Sequence, residues 1–183
     1  MEETSFQLQQ VNQVVSVEKT ERTAVLAQAL AASGVCDATL VLTCEQLHTF
    51  EVRSKWISSG EGGIYFSLIL HNDRSASHAF NSMMHALVDC LRAGLPVRVN
   101  RVGNAIKVWD KTFRVWKQIA TVSIQPLSSA GIVLSVELLL NNKPPRCVSG
   151  QYISVKQLVG CEVSKELFLE DLLESFWKYQ AWK

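Results

Sequence analysis

The chain has 183 residues, 48% of them hydrophobic and 19% charged, with a formal net charge of +1. That length suits one domain that can bury a core without metals or disulfides, and the composition is that of a folded globular protein rather than a disordered one. The near-zero charge offers no field for nucleic acid or an anionic membrane, and no apolar run approaches the roughly 18 residues of a membrane span.

The first ten residues, MEETSFQLQQ, are acidic and polar and carry neither a signal-peptide core nor an Arg-rich transit pattern. The expected location is the cytoplasm by default, with an organelle reached by another route left open. Residues 11–18 (VNQVVSVE) read as a strand. Thr20 is placed to cap a helix running to about Ala32, with Val25, Leu26, Ala29 and Leu30 on its apolar face and Gly34 at its C-terminal cap. Residues 38–43 (ATLVLT) read as a short strand covered on both faces, and after a loop 64–70 (IYFSLIL) read as another. Over 77–93, Phe80, Met83, Met84, Leu87, Val88 and Leu91 recur at helical spacing, opposite Asn81, His85, Asp89 and Arg92; Gly94 and Pro96 end that helix. Strands follow at 96–100, 105–109 and 113–124, with Asp110-Lys111 as a hairpin turn, and 132–140 (IVLSVELLL) is the last long strand. Ser164 caps a closing helix with Glu166 at its positive end and a stripe of Leu169, Leu172, Leu173, Phe176 and Trp177. This order predicts an α+β fold, a mixed sheet with helices packed on one side, in a single domain over 1–183.

Residues that could carry other chemistry read plainly. Cys36, Cys44, Cys90, Cys147 and Cys161 are scattered, odd in number and without metal-ligand spacing, which suits reduced, mostly buried thiols. His78 and His85 lie two helical turns apart and His71 precedes the helix, so no metal site is expected. Cys44 near His48 lacks an orienting third group for nucleophilic catalysis. Trp109 and Trp116 flank a short hairpin and Trp182 is next to the last residue; with Trp177 these aromatics suggest a surface for a protein partner.

Four segments in order, VEKTERTAVLAQAL, TLVLTCEQ…KWISSGEGGIYFSLIL, KQIATVSIQ and IVLSVELLLNNKPP, together with the closing helix, resemble the catalytic domain of biotin protein ligases and their lipoate ligase relatives. The resemblance covers about residues 11–180. It implies a class II synthetase-like fold. It also implies an enzyme that joins biotin and ATP, with Mg²⁺, into biotinyl-adenylate and passes the acyl group to a lysine of a carrier domain. The small C-terminal SH3-like domain that many of these ligases carry is not expected in this chain.

The motifs match unevenly. Thr20 keeps the middle of a ligand-binding triplet that here reads Lys19-Thr20-Glu21, and Gln46 stands where the family has Gln. The glycine- and arginine-rich phosphate loop has become residues 47–55 (LHTFEVRSK), where Arg53 and Lys55 keep positive charge but every glycine is gone. Backbone amides approach phosphates through glycine, and side-chain-bearing residues resist the positive φ that such loops use. Trp56, Ser58, Gly63, Tyr65 and Ser67 match the framework. Asn104 is kept from the Lys-Trp-Pro-Asn-Asp motif, whose acidic residue is Ala105 here. The catalytic lysine's slot holds Gln118; Lys117 is one residue early and reaches the same face only through a register shift. The Gly-x-Gly-x-Asn of the later strand reads Ser135-Val136-Glu137-Leu138-Leu139.

The reading is therefore a ligase-like protein that has lost adenylate chemistry, needs no cofactor and binds within a protein assembly. The alternative is a divergent ligase using biotin, ATP and Mg²⁺, with Lys117 as catalytic residue, Thr20, Gln46, Arg53, Lys55, Trp56 and Asn104 as ligand-binding residues, and a carrier domain as partner. A third reading keeps small-molecule binding without transfer, through Thr20, Gln46 and Trp56. A pocket filled by Phe50, Val52 or Leu139 would favour the first.

Overall fold

The computed structural model describes residues 10–58, 60–71, 75–128 and 130–181. Among these the chain forms β1 (Gln13–Thr20), α1 (Thr23–Ala32), β2 (Thr39–Gln46), β3 (Phe50–Val52), β4 (Lys55–Ile57), β5 (Ile64–His71), α2 (Ala76–Gly94), β6 (Val99–Val102), β7 (Ala105–Asp110), β8 (Val115–Pro126), β9 (Gly131–Leu138), α3 (Val155–Val159) and α4 (Lys165–Ala181). Seven strands make one sheet in the order β1-β2-β5-β9-β8-β7-β6. The β1–β2 pair, joined through α1, is parallel, and every other pair is antiparallel. The mixed α+β architecture is the one the element order implies.

The sheet is covered on both faces, which corrects the expectation of helices on one side. Along β5, Ile64, Phe66, Leu68 and Leu70 join the core under α2 and α4, with Met83, Met84, Leu87, Leu172 and Phe176. Ile69 points the other way and packs with Val41 and Val133 under Ala27 and Ala31 of α1. Alternating side chains serve two cores, so β5 reads as an apolar run broken only by Ser67 before its final His71. The stripe on α4 and the apolar positions of α2 are buried as their spacing predicts, apart from the partly buried Phe80. The Leu167 amide donates to Ser164 Oγ at 3.3 Å, placing Ser164 as the cap of α4.

Other boundaries differ. Thr20 closes β1 rather than capping α1, whose N-cap, Arg22, makes no side-chain cap. Small residues do the packing of α1: Ala24, Ala27 and Ala31 are buried, Leu26 and Leu30 partly so, and Val25 is 54% exposed. Alanine lets this helix lie close to the sheet, and the strand below supplies the bulk. The turn after β7 runs from Lys111 to Arg114, longer than Asp110-Lys111, because the Asp110 carboxylate accepts from the Thr112 and Phe113 amides. The cysteines are free but not buried: Cys36, Cys44, Cys147 and Cys161 are exposed and Cys90 is intermediate. The exposed four lie in loops or towards a strand end, outside the helix-covered centre of the sheet. Trp177 is buried, Trp116 is 40% exposed, and Trp182 lies outside the described residues.

Gly62 and Gly63 fix the approach of the chain that follows β9. Gly62 has φ +105, and a Cβ there would meet the Asn142 nitrogen at 2.9 Å; one on Gly63 would collide with the Tyr65 ring. The pair lets the Asn141 amide reach the Gly62 carbonyl at 2.8 Å and Asn142 Nδ2 donate to the Tyr65 hydroxyl at 2.8 Å.

Lys117 and Asp110 form an ion pair at 3.0 Å with side chains only 8% and 7% exposed. The ammonium also lies 4.4 Å from the centre of the Phe113 ring. Burial pushes the Asp110 carboxyl up, but Lys117 and the turn amides outweigh it and hold the group below its ordinary 3.8. A depressed carboxyl stabilises the fold above the unfolded value and loses that contribution as pH falls through the folded one. Asp110→Ala leaves Lys117 buried without its counter-ion and is expected to cost about 3–5 kcal/mol in urea unfolding at neutral pH.

Candidate functional site

The site lies on the α1 face of the sheet, where β2, β5, β9 and β8 present polar residues in place of a core. Gln46 is 1% exposed. Its Oε1 accepts from the Thr23 amide at 3.1 Å, at the start of α1, and its Nε2 donates to Glu137 Oε1 at 2.6 Å. Ser67 donates to Thr23 Oγ1 at 2.9 Å and shares a 2.6 Å hydrogen bond with Ser135. These groups stitch the N-terminus of α1 to three strands, and their pairing offsets the cost of burying them.

Beside Glu137 is a cleft of about 170 Å³ lined by Thr49, Phe50, Gln118, Ile119, Ala120, Thr121, Glu137, Leu139 and Tyr152. Its roof is the β3–β4 hairpin, a small antiparallel ribbon where the sequence suggested only a loop. Arg53 and Ser54 form its tip at φ +50 and +61. Both residues occupy the left-handed region, as in the primed turns of tight hairpins, although neither is glycine. Phe50 points inward: it is 2% exposed, packs with Leu139 and Val148, and meets the Tyr152 ring edge-on at 4.8 Å. Outside, the Arg22 guanidinium sits 4.3 Å over the Trp56 ring, which stacks on His48 at 5.5 Å. Arg22 Nε also donates to the His48 carbonyl at 3.1 Å, so the hairpin is fastened to the β1–α1 junction from both sides.

The register of β8 decides which residue meets the cleft. Ile106 pairs with Ala120 but Lys107 pairs with Gln118, so Ile119 is an extra residue in β8. Strict alternation back from Thr121 would bring Ile119 and Lys117 to the cleft. The bulge reverses this, turning Ile119 and Lys117 away and Gln118 in, the re-aiming that bulges accomplish. Gln118 Nε2 donates to Thr121 Oγ1 at 2.7 Å, and its backbone is tied on both sides of Tyr152, to the Gln151 carbonyl and the Ile153 amide.

Of the residues singled out in the sequence, the structure brings Gln46 to the polar network and Thr20 beside it as its partner in the β1–β2 register. Arg53, Lys55 and Trp56 are exposed on the hairpin and none of them lines the cleft. Asn104 is on the exposed turn after Gly103, its carbonyl accepting from the Val122 amide at 2.9 Å. Lys117 is turned towards Asp110. Two members of the site went unread in the sequence, Glu137 and Tyr152, whereas Phe50 filling the space is one of the arrangements the sequence anticipates. For Glu137 the signal was available, because alternation along β9 puts Ser135 and Glu137 on one face and Ser67 opposite Ser135.

Burial pushes the Glu137 carboxyl above its ordinary 4.5, against the opposing pull of the Gln46 hydrogen bond and the Arg22 charge. Burial and then the Glu137 charge also push the Tyr152 hydroxyl up. A raised carboxyl means that the folded state holds its proton more tightly. Its contribution to stability is present in acid and is lost as pH rises from the unfolded value through the folded one. Glu137→Gln keeps shape and hydrogen bonding without the charge. It is expected to be more stable than the wild type at neutral pH and to lose that advantage below about pH 4. Thermal unfolding of both proteins across pH 3–8 checks this.

Among the described residues, no three His, Cys, Asp or Glu side chains are grouped so as to hold a metal ion. No described helix is long and apolar enough to cross a membrane.

No protein-family model matches the chain, and no curated protein matches it in sequence. Solved structures do match in fold. Biotin protein ligase from Aquifex aeolicus aligns with a TM-score of 0.71 at 13% identity over 93% of this chain and 69% of that one. The biotin acetyl coenzyme A carboxylase synthetase of Helicobacter pylori, with bound biotinylated ATP, aligns at 0.61 and 16% identity over 91% and 74%. A bipartite lipoate protein ligase from Thermoplasma acidophilum aligns at 0.57 and 14% identity over 93% and 84%. The chain therefore has the fold of the biotin and lipoate protein ligase catalytic domain.

Proposed function

We propose that this ligase fold no longer forms an adenylate and serves as a binding component of a protein assembly. The supporting observation is that the ligand space is occupied from within the chain. Phe50 and Leu139 meet beneath the hairpin, and the Glu137 carboxyl enters the remaining cleft. Glycines at the positions of Ser135 and Glu137, which the family resemblance implies, would let a ligand approach the strand closely. Side chains there take that space. The cleft of about 170 Å³ falls below the roughly 300–1,000 Å³ of small-molecule sites, so biotin with ATP does not fit the residues present.

The charges agree. Adenylate chemistry needs donors and cations aimed at a carboxylate and a phosphate. Here the lysine slot holds Gln118, Ala105 stands at the acidic position, and Arg53 and Lys55 lie outside the cleft. Lys117, the candidate catalytic residue of the active alternative, is committed to Asp110. A partner surface has support in the exposed aromatics: Trp56 is 45% exposed and Phe113 68% exposed, and Trp116 is held edge-on against Trp109 at 5.6 Å. Large rings fixed at a surface are favoured anchors of protein interfaces.

Calorimetric titration of the purified protein with a non-hydrolysable biotinyl-adenylate analogue is expected to show no binding, and a carrier domain incubated with protein, biotin, ATP and Mg²⁺ is expected to remain unmodified. Tight binding together with transfer that disappears in Lys117→Ala would establish the active alternative instead.

A further inference from the structure

We propose that the cleft under the β3–β4 hairpin binds a primary alkylammonium group, with Glu137 as its counter-ion. The inference rests on the binding reading above, because the group is held and not processed.

The hydrogen-bond inventory of the cleft selects the ligand. Glu137 Oε1 is taken by Gln46, whose orientation is set by the Thr23 amide, which leaves Oε2 as an acceptor. Gln118 commits its Nε2 to Thr121, which leaves its Oε1. The Thr49 hydroxyl gives its proton to the Gln46 carbonyl at 2.9 Å, which leaves oxygen lone pairs. The cleft thus presents Glu137 Oε2, Gln118 Oε1 and Thr49 Oγ1 as acceptors; the second proton of Gln118 Nε2 and the hydroxyls of Thr121 and Tyr152 can still donate, so the charge of Glu137 decides the sign of the ligand. Among the described residues no Lys, Arg or His lines it, and the cation felt by Glu137 is Arg22, which is held over Trp56 outside the cleft. An ammonium has three donors and no acceptor and meets this set directly. A carboxylate or phosphate would face the negative charge of Glu137.

Size and apolar surface narrow the class further. Phe50 and Leu139 wall the cleft and can cover a short methylene stem, as apolar surfaces do for lysine. The volume of about 170 Å³ holds about five or six non-hydrogen atoms at the roughly 30 Å³ of a liquid water molecule. Butylammonium and a lysine side chain beyond its α-carbon are both of that size. The same chemistry can come from a free amine or from a lysine presented by a partner protein.

The test is an amide NMR titration of the full chain with n-butylammonium, Nα-acetyl-lysine N-methylamide and butyrate. Saturable shifts at Gln118, Thr121 and Phe50 with an amine are expected, with Kd of about 1–10 mM, and none with butyrate. Glu137→Gln should weaken the amine at least about 10-fold, and Gln118→Met, on another strand, by a smaller factor. Binding of the lysine derivative at least as tight as butylammonium assigns the site to a protein-borne lysine; binding of butylammonium alone assigns it to a free amine. The proposal is overturned if neither amine saturates by about 100 mM, if butyrate binds equally, or if Glu137→Gln leaves amine binding unchanged. Those results leave the loss of adenylate chemistry standing, since that reading falls only with adenylate binding and transfer.

Discussion

The side-chain amide of Gln46 ties the start of α1 to β9. It accepts the amide at the start of α1 with one end and donates to Glu137 on β9 with the other. An amide can do both at once because it carries an acceptor and donors on a rigid plane; an alkyl chain or a carboxylate of the same length could not. Its placement depends on β2 running to Gln46 itself, in register with Thr20 of β1. The residues after it turn back under Arg22 and become the hairpin that roofs the cleft. A change at Gln46 would free the helix end, leave Glu137 buried without its donor and loosen the strand that leads into the roof.

A polar network at the centre of a sheet face is costly unless every member finds a partner. Here Thr23, Ser67, Ser135, Gln46 and Glu137 are joined by hydrogen bonds. The same network makes the cleft acidic. A fold whose solved relatives hold biotin and ATP presents in this chain a carboxylate with its second oxygen turned towards a small cleft. Few side chains shape this face: Glu137 and Ser135 on one strand, Phe50 on the hairpin, and Gln118 at a bulge.

The fold was legible in the sequence to a large extent. The doubly apolar run of β5 and the 3.6-residue stripes of α2 and α4 reflect burial on particular faces, and burial is what hydrophobic periodicity reports. α1 was located but its face was misjudged, because Val25 and Leu26 outweigh alanines in any apolar count whereas close packing on the sheet selects the alanines. The opposite-face placement of α1 was not legible: handedness and layer assignment arise from tertiary packing. Nor was the β3–β4 hairpin, since its turn uses Arg53 and Ser54 where the familiar signal is Asn-Gly. At the site, Gln46 was legible by its position, Gln118 by the match of Ile119-Ala120-Thr121-Val122 to the family's strand, and Glu137 by strand alternation, while the bulge at Ile119, a non-local pairing event, leaves no local mark and turns Lys117 away instead of in.

Glu137 is a partly buried carboxyl held at the cleft by Gln46. The most direct measurement is a carbon-13 NMR titration of the Glu137 side-chain carboxyl in the unliganded protein, repeated with the biotinyl-adenylate analogue present. The account predicts a midpoint above 4.5 that the analogue does not move. A midpoint at or below that value, together with a displacement on adding the analogue, would mean that the carboxyl lies out of the cleft and that biotinyl-adenylate enters it.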